Sequence, residues 1–153
     1  MRRYLAALAA ALVFASQALA GVNIGSYTLA ARQITTALTS EAQAAVTGLD
    51  GASAASITAS FSYGSGGSTA LAVVQTSCDG GTVWLDIAAF AFTTAAVVKY
   101  ANLSGLTAKS VGAYAALSTD GVNDGLLCPQ LRAVLTTTGT YANTVLTIRI
   151  SVR

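Results

Sequence analysis

Hydrophobic and polar positions alternate with a period of two over much of this chain, the period of half-buried β-strands. The clearest run is C-terminal, where Leu146, Ile148, Ile150 and Val152 alternate with Thr147, Arg149, Ser151 and Arg153. Ile57, Ala59, Phe61 and Tyr63 alternate with Thr58, Ser60 and Ser62, and Leu131, Ala133 and Leu135 with Arg132, Val134 and Thr136. Ser26 to Ile34, Val97 to Leu103 and Val111 to Leu117 read as further strands. Between them lie turn-rich pieces: Gly48-Leu49-Asp50-Gly51, Gly64-Ser65-Gly66-Gly67, and Thr119 to Gly125. The segment Thr35 to Val46 is weakly patterned, with one helical turn a candidate over Glu41 to Val46 on its alanines.

The chain is organised around a central hairpin. Leu71, Val73 and Gln75 alternate with Ala72, Val74 and Thr76; then Val83, Leu85 and Ile87 alternate with Trp84 and Asp86. Asp79-Gly80 between them is a strong hairpin signal, because glycine takes positive φ without a Cβ clash. The spacing Ser77-x-Asp79-x-Gly81-x-x-Trp84 resembles the Asp-box hairpin, a structural motif found in sialidases and many unrelated β-proteins. That resemblance implies a carboxylate at Asp79 accepting backbone N–H groups across the turn through Gly80 and Gly81, with Trp84 over the hairpin base. The motif occurs once, so it predicts neither a propeller nor a glycosidase.

About eight short strands with turns at this spacing predict an all-β fold, an antiparallel sandwich of jelly-roll-like form. The lone proline, Pro129, precedes a strand, where its missing donor does little harm.

The N-terminus differs from the rest. Arg2 and Arg3 are followed by an apolar stretch from Leu5 to Ala15 and by Ser16-Gln17-Ala18-Leu19-Ala20, the order of a secretory signal peptide cleaved before Gly21. The expected organisation is a leader, residues 1–20, and one domain, residues 21–153, with no stable membrane anchor after cleavage. The alternatives are an Ala-rich amphipathic helix or a start assigned too far upstream.

Removing the leader changes the charge. Arg32, Lys99, Lys109, Arg132, Arg149 and Arg153 are then matched by Glu41, Asp50, Asp79, Asp86, Asp120 and Asp124, giving zero net charge. No basic patch is visible, which argues against nucleic acid as a partner. So neutral a surface limits the solubility of a lone monomer and suits packing against copies or partners. A homo-oligomer is expected, with a trimer the first candidate.

Candidate chemistry is sparse. The chain has no histidine, so Ser-His-Asp and Cys-His arrangements and His-bearing metal sites are excluded. The acids are scattered through turns, with no general acid/base pair on matching strands, and no glycine-rich phosphate loop is followed by a Lys and a helix pattern. No cofactor is expected. Asp120, Asn123 and Asp124 offer oxygen ligands to calcium, or simply an Asx-rich surface turn. Tyr63, Trp84, Tyr100, Tyr114 and Tyr141 offer a sugar-stacking platform, or ordinary core and rim packing. Cys78 and Cys128 form an even pair in a chain with an export signal; a disulfide between them would stabilise by roughly 3–4 kcal/mol in the loop-entropy model. The alternative is two separate small core residues.

The runs Phe61 to Thr69, Val74 to Gly81 and Trp84 to Thr94, with Thr119 to Gly121, Asp124 to Leu127, Leu131 to Ala133 and Thr138 to Ala142, resemble a family of small proteins of tailed phages and prophages. The resemblance covers most of the chain from about Ser56 onward. It implies a virion structural protein with a β-sandwich fold, a capsid decoration or a tail or neck accessory, working through protein–protein surfaces on capsid or tail partners. It carries no catalytic motif. Members of that family start without a leader and have an apolar residue and a glycine where Cys78 and Cys128 stand, which points either to a copy adapted to the periplasm or cell surface or to a leader that is only apparent. The rival reading is an exported host binding module, adhesin-like or carbohydrate-binding.

Overall fold

The computed structural model describes residues 24–108 and 114–153. The leader expected over residues 1–20, and Gly21 after it, lie outside the described residues.

The described chain is all β. Its strands are β1 (Gly25–Ile34), β2 (Leu38–Ala42), β3 (Ala54–Ser62), β4 (Ser65–Gly66), β5 (Thr69–Ser77), β6 (Leu85–Phe92), β7 (Val97–Ser104), β8 (Gly121–Val122), β9 (Gln130–Thr138), β10 (Tyr141–Ala142) and β11 (Thr144–Val152). Three of these have only two residues, which leaves eight longer strands; seven match the runs that the alternation predicts, and the eighth, β2, takes the place of the strand expected over Val111 to Leu117. One sheet has the order β1-β11-β3-β7, the other β2-β9-β5-β6-β8, with a small β10-β4 pair beside them.

A single long hairpin, rolled up, generates this order. The tip is β5 against β6; going outward, β3 pairs β7, β2 pairs β9 and β1 pairs β11, all antiparallel. Rolling brings β11 onto β3 and β9 onto β5, which splits the ladder into two facing sheets. This is the jelly roll. Its tip is the Asp79 turn.

The core lies between the sheets and follows the period-two pattern. Ile57, Phe61, Leu146, Ile148 and Ile150 point inward from one sheet, Val74, Phe90, Leu131 and Leu135 from the other, all essentially inaccessible to solvent. Phe61 stacks on Phe92 across the sandwich with ring centroids 5.0 Å apart. On the outer face of the first sheet, Ser56, Thr58 and Ser60 stand opposite Ser151, Arg149 and Thr147.

Each open side of the sandwich is closed by one ion pair. Arg32 of β1, level with buried Leu146, bonds Glu41 of β2 at 2.9 and 3.2 Å. Lys99 of β7, level with buried Ala59, bonds Asp120 at 2.5 Å and the Ala91 carbonyl of β6 at 2.6 Å. Both cations sit at inward-facing positions of edge strands, a placement that discourages indiscriminate edge pairing.

Three expectations are corrected. The helical turn over Glu41 to Val46 is absent: Leu38–Ala42 is a strand on β9, and Val46 bridges Leu131. Pairing to a neighbouring strand outweighs the weak helical preference of alanine in so short a segment. The strand expected over Val111 to Leu117 falls partly outside the described residues, and Tyr114 to Leu117 is irregular. Side chains take its backbone groups: Asp86 Oδ2 accepts from Leu117 N at 2.8 Å, and Asn123 Nδ2 donates to Ala115 O at 2.9 Å. The second hairpin arm begins at Leu85 rather than Val83, because the Val83 amide is drawn into the turn.

Candidate functional site

The hairpin tip is built from its own side chains. Asp79 Oδ1 accepts from Val83 N at 2.9 Å, Thr82 N at 3.1 Å and Ser77 Oγ at 2.8 Å. Ser77 Oγ in turn accepts from Gly81 N at 2.9 Å. These donors, the Val83 amide first and the Ser77 hydroxyl next, hold the Asp79 carboxyl below the usual carboxylate range. Gly80 and Gly81 have φ of 75° and 94°, the left-handed region that glycine enters freely. Trp84 folds back so that its Nε1 donates to Gly81 O at 2.8 Å. Asp79, Gly80, Gly81 and Trp84 thus form one turn, and its carboxylate is spent on backbone amides.

Cys78 and Cys128 are disulfide-bonded, with Cα atoms 4.9 Å apart. The bond lies where the β5–β9 ladder ends, one step beyond the Ser77–Gln130 pair. Behind it, buried Thr76 Oγ1 accepts from Cys128 N at 3.0 Å and donates to Gln130 O at 3.1 Å. On the outer face a polar ladder crosses three strands. Arg132 Nε donates to Gln75 Oε1 at 2.9 Å, and Gln75 Nε2 donates to Asp86 Oδ1 at 2.8 Å. The Arg132 guanidinium lies 4.0 Å from the centroid of the Trp84 ring, a cation–π contact that fixes both side chains.

The candidate calcium residues are drawn apart. Asp120 accepts from Lys99 and, at 2.9 Å, from Ala91 N. Asn123 Nδ2 donates to Asp86 O and Ala115 O, each at 2.9 Å. Asp124 accepts from Ser104 N at 2.6 Å and from Thr107 Oγ1 at 3.0 Å. Both carboxylates have their oxygens taken by protein donors, and among the described residues no group of three or more His, Cys, Asp or Glu side chains could hold a metal. Burial alone would raise the Asp120 carboxyl, but the Lys99 ammonium and the Ala91 amide hold it below its usual range.

Nor do the aromatics form a platform. Tyr63 and Tyr141 sit at the Thr69 end of β5 and Trp84 at its Ser77 end, nine residues or about 30 Å away. Tyr141 is buried, with its hydroxyl donating to Thr69 O at 2.7 Å. At that corner the runs Tyr63 to Gly67 and Thr138 to Ala142 meet through β4 and β10. Gly67, at φ 56°, lies so close to the Tyr141 ring that no Cβ fits. Tyr100, by contrast, is 73% exposed on β7.

Tyr100 belongs to a site that the motifs did not indicate. A trough of about 360 Å³ runs between the edge of β7 and β8, lined by Val98, Lys99, Tyr100, Phe90, Asp120 and Val122 among others. Its lining is mostly apolar and includes the Lys99–Asp120 pair. The signal for it in the sequence is Val97-Val98-Lys99-Tyr100, where two adjacent valines break the alternation and a lysine takes an inward position. Comparison with protein-family models, curated proteins and solved structures finds no match for this chain.

Proposed function

We propose that this protein is a non-enzymatic structural subunit of a phage or prophage virion, a capsid decoration or a tail or neck accessory, acting through protein–protein surfaces. The observation that carries the reading is the jelly roll itself, a rigid body used by viral capsid proteins, with five carboxylates (Glu41, Asp79, Asp86, Asp120 and Asp124) committed to turns, loops and ion pairs. The resemblance of the Tyr63–Gly67 and Gln75–Gly81 runs to phage proteins selects the virion from the other uses of that body. The subunit self-associates, because its six cations and six acids outside the leader cancel and leave little repulsion between copies.

The test is composition. Particles purified from an induced lysogen contain the protein at a copy number set by capsid or tail symmetry; its absence from particles refutes the reading.

A second reading has its own observation. The Cys78–Cys128 disulfide belongs to an oxidising compartment, which favours an exported host binding module using the jelly roll as lectins do. Under that reading, and for a virion protein that passes through the periplasm, intact mass of a periplasmic fraction matches a chain starting at Gly21. Glycan-array binding by a protein absent from particles decides for the second reading.

A further inference from the structure

The two main sheets have four edges among the described strands, and they are unequal; the β10 and β4 edges of the small pair are two residues each. β1 carries a register shift between Thr28 and Ala30, and β2 carries one between Leu38 and Glu41. β8 has two residues. β7 alone is long and regular, with eight residues in unbroken register on β3. Bulges and shortness protect an edge from pairing, and β7 has neither. Its one charge, Lys99, points inward and is held by Asp120.

The direction of its backbone groups is fixed by two hydrogen bonds. Gly105 N donates to Ser53 O at 2.7 Å, toward β3, and Ser104 N donates to Asp124 Oδ1 at 2.6 Å, away from it. Alternation along the strand therefore turns the N–H and C=O groups of Val98, Tyr100 and Asn102 outward. Beside them Val97, Val98, Tyr100 and Val122 are 39%, 46%, 73% and 44% exposed, half of the eight large hydrophobic residues left in solvent among the described residues.

We propose that β7 is a self-pairing edge: two copies join β7 to β7 antiparallel about a twofold axis at Tyr100, fusing their four-stranded sheets into one. The proposal deepens the self-association reading above by naming its surface. In this register Tyr100 meets Tyr100, Val98 meets Asn102, Lys99 meets Ala101 and Val97 meets Leu103. The three outward residues of each copy exchange six backbone hydrogen bonds. A second copy is the occupant that the charges fit, since no charge faces its like across the seam and each lysine keeps its own aspartate. The two tyrosines, the valines and the paired strands bury on the order of 1,000 Å², the lower bound of a specific interface. An isologous seam closes at two copies, so the expected trimer gives way to a dimer.

Cross-linking tests it. In a hydrogen-bonded antiparallel pair the Cα atoms lie about 5.5 Å apart, inside the disulfide range. Tyr100→Cys therefore gives a reductant-sensitive covalent dimer as the main species. Asn102→Cys alone does not, but cross-links when mixed with Val98→Cys. Tyr100→Pro removes one outward N–H without touching the β3 ladder, so it abolishes the dimer in sedimentation velocity and retains the β circular dichroism spectrum. A wild type that stays monomeric at high micromolar concentration, with Tyr100→Cys uncross-linked, overturns the proposal. So does protection of the β7 amides only when another virion protein is added, which assigns the edge to a different chain. Absence from particles with Tyr100→Cys cross-linked refutes the virion reading and leaves the seam intact.

Discussion

Replacing both cysteines by alanine isolates the contribution of the disulfide. The bridge joins residues 50 apart, so in the loop-entropy model its removal from the unfolded chain costs about 4 kcal/mol of stability. The folded state loses little. The nine-residue β5–β9 ladder ends one residue before the bridge, and Thr76 still ties Cys128's backbone to Gln130's. The effect therefore resides in the unfolded ensemble. With a urea slope of roughly 2 kcal/mol per molar, Cys78→Ala/Cys128→Ala shifts the unfolding midpoint down by about 2 M. The slope itself steepens, because the uncross-linked chain exposes more surface. Wild type unfolded in the presence of a thiol reductant reproduces the variant. The assay is equilibrium unfolding followed by Trp84 fluorescence and circular dichroism. A midpoint shift below about 0.5 M, with wild type shown to lack free thiols, would refute the reasoning, since the ladder would then already hold in the unfolded chain what the bridge holds.

Three further outcomes are expected. Asp79→Ala frees the Thr82 and Val83 amides and lowers the melting temperature; loss of a hydrolytic activity at unchanged melting temperature would contradict the structural role of the turn. Gly67→Ala forces a Cβ into the Tyr141 ring at φ 56°, costing about 2–4 kcal/mol, read as a lower urea midpoint; an unchanged midpoint would mean the β4–β10 corner is not packed as described. Finally, Glu41, Asp79 and Asp120 have folded pKa values below their unfolded ones, so the unfolded chain takes up more protons in acid. Their stabilisation is present above the ordinary carboxylate range near 4 and lost as pH falls through the folded values. With no histidine to titrate between 5 and 8, the urea midpoint is flat there and drops by pH 3; a slope between pH 6 and 7 would contradict this.

The sequence pattern made visible what repeats locally. Leu146 to Val152 and Ile57 to Phe61 alternate cleanly because each has one face in the core, and both are strands with those residues buried. The Asp79 turn was legible because Asp, Gly and Trp at fixed offsets each answer a local backbone need. β2 was obscure for the opposite reason: Glu41 owes its place to Arg32 nine residues earlier and to β9 almost a hundred residues later, neither of which leaves a period in Thr35 to Val46. The same holds for Tyr114 to Leu117, organised by Asp86 and Asn123 from outside the segment. The trough at β7 was missed because it depends on which strand ends at an edge, a property of the whole topology.

The acids explain how a protein with so few charges still folds into long, irregular connections. Glu41 closes one side of the sandwich and Asp120 the other; Asp79 closes the hairpin tip; Asp86 pins Leu117; Asp124 caps the end of β7 at Ser104. In each case a carboxylate accepts from a cation or from backbone amides that lie beyond the reach of the ladders. A fold whose described residues contain no helix needs such acceptors wherever the chain leaves a strand, since loop amides must be satisfied by something. Arg32, Lys99 and Arg132 are engaged likewise, with Glu41, Asp120 and the Gln75–Trp84 pair. Charge used in this way is tied down within the fold, although Arg149 and Arg153 still face solvent. On β7, whose one charge is the paired Lys99, what faces outward is uncharged, with a row of outward backbone donors and acceptors. The device that orders the loops thus leaves an edge with nothing to repel a second copy.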